Sequence, residues 1–240
     1  MTAIGVASAG LEPGQLEREL KFVLPAARGV LARSVLEAVC RPDVEYPAAT
    51  LSTIYFDTPD LRFLGEKVDS DYLKTKVRLR WYAPIGGQDD LARAFLEIKM
   101  RVGDRRQKAR LRTALTARTL REMSFDSPEF EDVLELARPL GIPLPARLLP
   151  VLLIRYDRYR FVEPVSSSRI SVDMNIGAPR GHHRLVRDAA PVTLRHAVLE
   201  VKGAGTELPR VLHPLIRMGA RRGSSSKYAA AAFAMLKYAS

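Results

Sequence analysis

The chain has 240 residues, 47% of them hydrophobic and 27% charged, with a formal net charge of +11 and a pI near 10.0. This composition excludes a disordered chain and leaves room for one large domain with a sizeable core, while the positive excess implies a polyanionic partner: nucleic acid, acidic lipid or a phosphate compound. The single cysteine, Cys40, excludes an internal disulfide and any cysteine-based metal cluster, and no apolar run approaches the roughly 18 residues of a membrane span.

Residues 1–14, rich in Ala and Gly, read as a flexible leader, with a single domain over 15–240. The N-terminus lacks a charged-then-apolar signal pattern, so a cytoplasmic location is expected. Side chains alternate between the two faces of a strand. A first strand at 16–24 therefore sets Glu17, Glu19 and Lys21 against Leu16, Leu20 and Phe22. Pro25 opens a helix to about residue 40, with Cys40 a small buried residue at its end and Arg41-Pro42 stopping it. A strand at 50–57 follows, with Leu51, Thr53, Tyr55 and Asp57 on one side and Ser52, Ile54 and Phe56 on the other. Thr58-Pro59-Asp60 then turns the chain into a short helix through Lys67.

The strand at 72–83 places Lys74, Lys76, Arg78 and Arg80 on one face and Leu73, Val77, Leu79 and Trp81 on the other, with Thr75 the one polar exception. Like charges on adjacent same-face positions repel, so an anion should offset them. Beyond Pro84 and the Gly86-Gly87 loop, a strand at 93–100 sets Glu97 and Lys99 against Leu96, Ile98 and Met100. Gly103-Asp104 reverses the chain into 105–113, where Lys108, Arg110 and Arg112 oppose Ala109 and Leu111. Residues 116–139 carry apolar side chains at helical spacing, and Pro139, Pro143, Pro145 and Pro150 make a rigid approach to a strand at 151–162. In the strand at 168–175, Arg169, Ser171 and Asp173 oppose Ile170, Val172 and Met174. In the strand at 196–203, Glu200 and Lys202 oppose Leu199 and Val201. Helices are expected at about 206–219 and 224–238.

One such strand would be read as a solvated outer face. Six charged faces of Arg, Lys and Glu with little dilution favour another arrangement: an α+β fold in which about eight antiparallel strands close into a barrel, or tunnel, with a charged interior and helices around it. The cations recur at period two and form no long blocks, which favours a compact anion held inside the fold over a nucleic-acid duplex lying across it. His182, His183, His196 and His213 lack metal-ligand spacing and read as structural or exposed. Trp81 points to the apolar side, away from base stacking; Asp157 has the parity opposite to Arg158 and belongs outside; Tyr55, Tyr82 and Tyr228 read as packing groups or hydrogen-bonding wall residues.

An ordered series of motifs carries a family resemblance across most of residues 16–232. It runs through Glu17-Arg18-Glu19-Leu20-Lys21-Phe22, Tyr55-Phe56-Asp57-Thr58-Pro59, Lys76-Val77-Arg78-Leu79-Arg80-Trp81-Tyr82, Phe95-Leu96-Glu97-Ile98-Lys99 and Lys108. It continues through Tyr156-Asp157-Arg158, Arg169-Ile170-Ser171-Val172-Asp173, Val198-Leu199-Glu200-Val201-Lys202 and Ser226-Lys227-Tyr228. The series resembles the triphosphate tunnel enzymes, and within them the polyphosphate polymerase domain of the vacuolar transporter chaperone (VTC) group. The family tends to carry a further basic residue three positions before the final lysine, where this chain has Ser224, with Arg221 and Arg222 just upstream.

The resemblance implies a tunnel that binds ATP and polyphosphate, or another triphosphate, together with a divalent metal, Mn²⁺ or Mg²⁺. Phosphate binding falls to Lys21, Lys76, Arg78, Arg80, Lys99, Lys108, Arg158, Arg169, Lys202 and Lys227, with Arg78, Arg80, Lys99 and Lys227 in the catalytic role of neutralising and aligning charge. Glu200 is the expected metal ligand, with Glu19, Glu97 and Asp173 in support. The implied reaction transfers the terminal phosphate of ATP to a polyphosphate chain. The alternatives are hydrolysis of inorganic, nucleoside or thiamine triphosphate, and non-catalytic binding of polyphosphate or RNA. The phosphate-sensing domain and membrane segments of the eukaryotic complexes are missing from the sequence, which implies a standalone enzyme with no indicated protein partner.

Overall fold

A computed structural model describes residues 18–68, 72–103, 105–186 and 190–238; the expected leader and Glu17 lie outside them. In chain order the elements are β1 (Arg18–Pro25), α1 (Gly29–Val39), β2 (Arg41–Pro42), β3 (Ala48–Asp57), α2 (Arg62–Val68), β4 (Leu73–Ala83), β5 (Arg93–Val102), β6 (Arg105–Thr116), α3 (Ala117–Glu122) and α4 (Glu129–Glu135). There follow β7 (Leu149–Val162), β8 (Arg169–Gly181), β9 (Val192–Thr193), β10 (His196–Gly203), α5 (Pro214–Arg217), β11 (Arg221–Arg222) and α6 (Lys227–Tyr238). The eight expected strands are the eight long ones. The expected helix at 116–139 is two short helices, and that at 206–219 shrinks to the 3₁₀ turn Arg210–Leu212 and α5.

All pairings are antiparallel, in the order β11-β1-β10-β8-β7-β3-β4-β5-β6, with β2 on β7 and β9 on β8. Among the described residues no ladder joins β6 back to β1 or β11, so the expected closed barrel is corrected to an open sheet. The sheet is nonetheless strongly curled. Five strand spacings of about 4.8 Å would separate β1 from β4 by roughly 24 Å in a flat sheet, yet Lys21 of β1 and Lys74 and Lys76 of β4 line one cavity of about 130 Å³. Register shifts in the β3–β7, β5–β6 and β7–β8 pairs add local twist and help the sheet roll. Across the concave side Lys99 of β5 and Lys202 of β10 come near enough to feel each other's charge.

The apolar side of the curl is the outside, and helices cover it. α1 and α5 pack on Phe22, Leu24, Val172 and Leu199, while α3 and α4 pack on Phe56, Val77, Leu79, Trp81 and Leu96. Cys40 is buried at the end of α1 and Trp81 is buried in the outer core, as expected. The alanine-rich α6 behaves differently. Its Tyr228, Ala231, Ala232 and Met235 pack on Leu51, Tyr55, Leu152, Ile154 and Val198, residues of the inner face, so the helix plugs one end of the concave side.

The backbone N–H of Thr75 donates to Glu66 Oε2 at 2.9 Å and ties β4 to α2. Asp57, like Glu66, links elements through its carboxylate. Its Oδ1 accepts the N–H groups of Thr58 and Phe63, both at 2.8 Å, and its Oδ2 accepts the Leu64 N–H at 2.9 Å and the Tyr228 hydroxyl at 2.8 Å. One carboxylate thereby caps α2 and anchors α6.

Candidate active site

Cross-strand register converts the sequence parity into a single surface. Starting from β1, Lys21 faces Glu200, Glu19 faces Lys202, and Lys202 faces Arg169. Asp173 faces Arg158, Tyr55 faces Arg78, Thr53 faces Arg80, and Arg78 faces Glu97. Lys76, Lys99 and Lys108 form an uninterrupted row of three ammonium groups across β4, β5 and β6. Directly opposed like charges are destabilising, so this row marks a surface shaped for anions rather than for stability.

Two ion-pair clusters organise the concavity. In one, Asp173 is fully buried; its oxygens accept from Arg158 Nε at 2.6 Å and Nη2 at 2.7 Å, and Lys227 Nζ from the start of α6 stands 2.5 Å away. Burial alone would raise the Asp173 pKa, but Arg158 and Lys227 outweigh it and hold the carboxyl well below the usual range. In the other, Glu97 accepts from Arg78 Nε at 2.8 Å, with Arg80 at 3.7 Å and Arg110 at 3.6 Å. Burial again pushes upward, and Arg78 and Arg80 prevail, lowering the Glu97 pKa. Arg80 also donates from Nε to Thr53 Oγ1 at 3.1 Å and from Nη2 to the Tyr156 hydroxyl at 3.2 Å. The Lys227 ammonium lies 4.8 Å from the Tyr156 ring centre and the Arg158 guanidinium 5.5 Å. Tyr156, named in the sequence only as part of a motif, links both clusters; its shared parity with Arg158 was the available signal.

The structure thus brings together Lys21, Arg78, Arg80, Arg158, Lys227, Glu97, Asp173 and Glu200. Lys76 lines the cavity beside Lys21, whereas Lys108 and Arg169 sit on the same charged face at exposed positions. Asp157 lies on the other face, accepting from Thr50 Oγ1 and Asn175 Nδ2. His182 and His183 approach Asp126 away from these clusters.

The four expected metal-binding carboxylates are not equivalent. Asp173 and Glu97 are engaged by short guanidinium contacts, and among the described residues no three His, Cys, Asp or Glu side chains gather to hold a metal ion. Glu200 has looser partners, Lys21 at 3.6 Å and Arg158 at 3.7 Å, and Glu19 reaches the same Lys21 ammonium at 3.2 Å. Glu200 and Glu19 therefore share one ammonium partner, and neither is locked by a short guanidinium contact.

In the concavity the charged surroundings shift Lys99 and Tyr55 downward, toward neutrality. Lys99 is open to water within the concavity, yet partial desolvation and the Arg78 charge, joined by Lys202 and Arg80, bring its pKa down to about 8 against the pull of Glu97. Burial raises the Tyr55 pKa, but Arg78, Arg80, Lys76 and Lys227 overcome it and bring the phenol to about 8. Its ring stacks on Tyr228 with centroids 5.1 Å apart. Deprotonation of either group removes positive charge from the concavity or adds negative charge, so anion affinity should fall as pH rises through about 8. Calorimetric titration with inorganic triphosphate from pH 6.5 to 9.5 should record that fall, with proton uptake on binding. Lys99→Arg and Tyr55→Phe should each flatten part of the profile, and a flat wild-type profile would contradict it.

Among the described residues no helix is long and apolar enough to cross a membrane. Solved structures similar to this one include proteins described as a "putative adenylate cyclase" from Bacillus halodurans (14% identity, TM-score 0.45, 88% of this chain and 93% of that one) and from Vibrio parahaemolyticus (12%, 0.38, 89% and 95%). A conserved hypothetical protein from Pyrococcus furiosus is also similar (11%, 0.36, 84% and 89%). No functionally curated protein matches the sequence. The sequence profile of the VTC domain matches residues 16–236, and with the charged faces of β1, β4, β5, β7, β8 and β10 turned to one concave side, the chain belongs to the VTC domain family.

Proposed function

We propose that the protein is a metal-dependent polyphosphate polymerase that transfers the terminal phosphate of ATP to a polyphosphate chain. The observation that carries this reading is the length of the cationic track. From Lys74 to Arg80 the inner face of β4 carries a cation at every second residue, a run of roughly 20 Å at about 3.3 Å per residue. The Lys76–Lys99–Lys108 row crosses it. That is more positive surface than a single triphosphate can cover, and a growing chain would use the remainder.

Phosphoryl transfer depends on alignment and charge neutralisation more than on a protein nucleophile. Arg78, Arg80 and Arg158 are held at fixed angles by Glu97, Thr53, Tyr156 and Asp173, so the guanidinium N–H groups left free by those contacts would bind non-bridging oxygens from preset positions. Lys99 and Lys227 supply charge at the reacting phosphates, and Lys21, Lys76, Lys108, Arg169 and Lys202 hold the rest of the chain. A bound Mn²⁺ or Mg²⁺ would further neutralise the phosphate oxygens, with Glu200 and Glu19 as its protein ligands. The α6 plug closes one end of the concavity and limits the access of water as a competing acceptor.

Incubation with ATP and Mn²⁺ separates the readings. The expected products are ADP and a long phosphate polymer seen on polyacrylamide gels. Orthophosphate without polymer would replace the proposal by triphosphate hydrolysis, and binding without turnover would leave a polyanion-binding module.

A further inference from the structure

The charged inner faces of β4 and β5 end in aromatic residues. Tyr82 follows Lys74, Lys76, Arg78 and Arg80 at the same parity, and Phe95 precedes Glu97 and Lys99 on the same face, directly opposite Arg80. Both rings are half-buried rather than packed into the core. Arg110 of β6 stands over Phe95, its guanidinium carbon 4.1 Å from the ring centre, and lies 5.8 Å from the centre of Tyr82. Its side chain is 51% exposed, so one side of the guanidinium remains open. Tyr46, itself exposed, comes near enough for the charges of Arg110 and Arg160 to act on its phenol. A lumen that bound only inorganic phosphate chains would have no use for π-faces at its mouth.

We propose that Tyr82 and Phe95, bridged by Arg110, form a stacking platform for the base of a nucleoside triphosphate whose phosphates lie along Arg78, Arg80 and Lys99. This assignment rests on the triphosphate reading above and adds to it a nucleobase subsite. From Arg78 to Tyr82 is four residues of strand, about 13 Å, a separation suited to a ribose and a base extending from the phosphates. Aromatic rings and guanidinium planes stack on any base. The platform therefore selects nucleotides over inorganic triphosphate and discriminates only weakly among bases.

The test is calorimetric titration of the full chain with a non-hydrolysable ATP analogue, the corresponding GTP analogue and inorganic triphosphate. The wild type should bind both nucleotides roughly tenfold more tightly than inorganic triphosphate. Tyr82→Leu/Phe95→Leu keeps apolar volume without the π-faces and should abolish that margin, leaving inorganic triphosphate within about twofold of its wild-type affinity. Arg110→Lys, at an exposed position, keeps the charge and loses the plane; it should reduce the margin in the same direction even if the double variant folds poorly. Equal wild-type affinity for nucleotide and inorganic triphosphate, or equal losses for both in the variants, would overturn the platform while leaving the triphosphate reading intact. Failure of the wild type to bind any of the three would remove both.

Discussion

Asp173→Asn is expected to lower the free energy of unfolding by about 3–5 kcal/mol, the range for breaking a buried ion pair on one side. Asp173 is fully buried, and among the described residues it alone approaches both Arg158 and Lys227 at hydrogen-bonding distance. Without its charge two buried cations repel each other, and Glu200 at 3.7 Å from Arg158 compensates only in part. Lys227 is the first residue of α6, so the damage should extend to the plug. Urea denaturation checks this: the midpoint should fall at nearly constant m-value, and a loss below about 1 kcal/mol would refute it. The same contact makes an acid-stability prediction. The folded-state pKa of Asp173 is depressed, so its contribution is fully present above the unfolded value of about 3.9. It declines as pH falls below that value toward the folded one. In Asp173→Asn this part of the acid dependence should vanish.

The parity of the strands was legible because a β-strand's two faces are written in alternate letters. Lys74, Lys76, Arg78 and Arg80 do share one surface, and Trp81 is turned away from it. Closure was not legible, since it depends on whether the edge strands β6 and β11 pair, and nothing in their own alternation decides that. Strand parity alone does not separate Asp173 from Glu200, two carboxylates on the same face of paired strands; only the family resemblance ranked Glu200 first. What separates them is the arrival of Lys227 from α6 and the position of Arg158 opposite Asp173 in the β7–β8 register. Asp57 belongs to the same class of hidden detail. Its partner Tyr228 lies 171 residues away, and only the folded chain shows that a motif aspartate ties α2 to α6. The plug itself reads in the sequence as an alanine-rich helix, with nothing to indicate that it packs on the inner rather than the outer face.

Glu200→Gln should lower metal-dependent turnover about 10²–10³-fold, the scale seen when one element of preorganised electrostatic stabilisation is removed, while changing stability little. The difference from Asp173 follows from the partners. Lys21 retains Glu19 and Arg158 retains Asp173 when Glu200 is neutralised, so no buried cation is stranded. Burial raises the Glu200 pKa, but Arg158, Lys227 and Lys21 together outweigh that and the repulsion from Asp173, and the carboxylate stays ionised at neutral pH. An ionised carboxylate with ion-pair partners no closer than 3.6 Å can turn to a divalent ion without breaking a short contact. Losing its charge also removes repulsion toward phosphate, so binding of inorganic triphosphate without metal should hold or tighten even as turnover collapses. Measuring rate against Mn²⁺ concentration, alongside metal-free binding, tests both halves. Unchanged rate and metal dependence in Glu200→Gln would show that the ion is held elsewhere. Parallel loss of metal-free binding would instead make Glu200 a scaffold for Lys21 and Arg158.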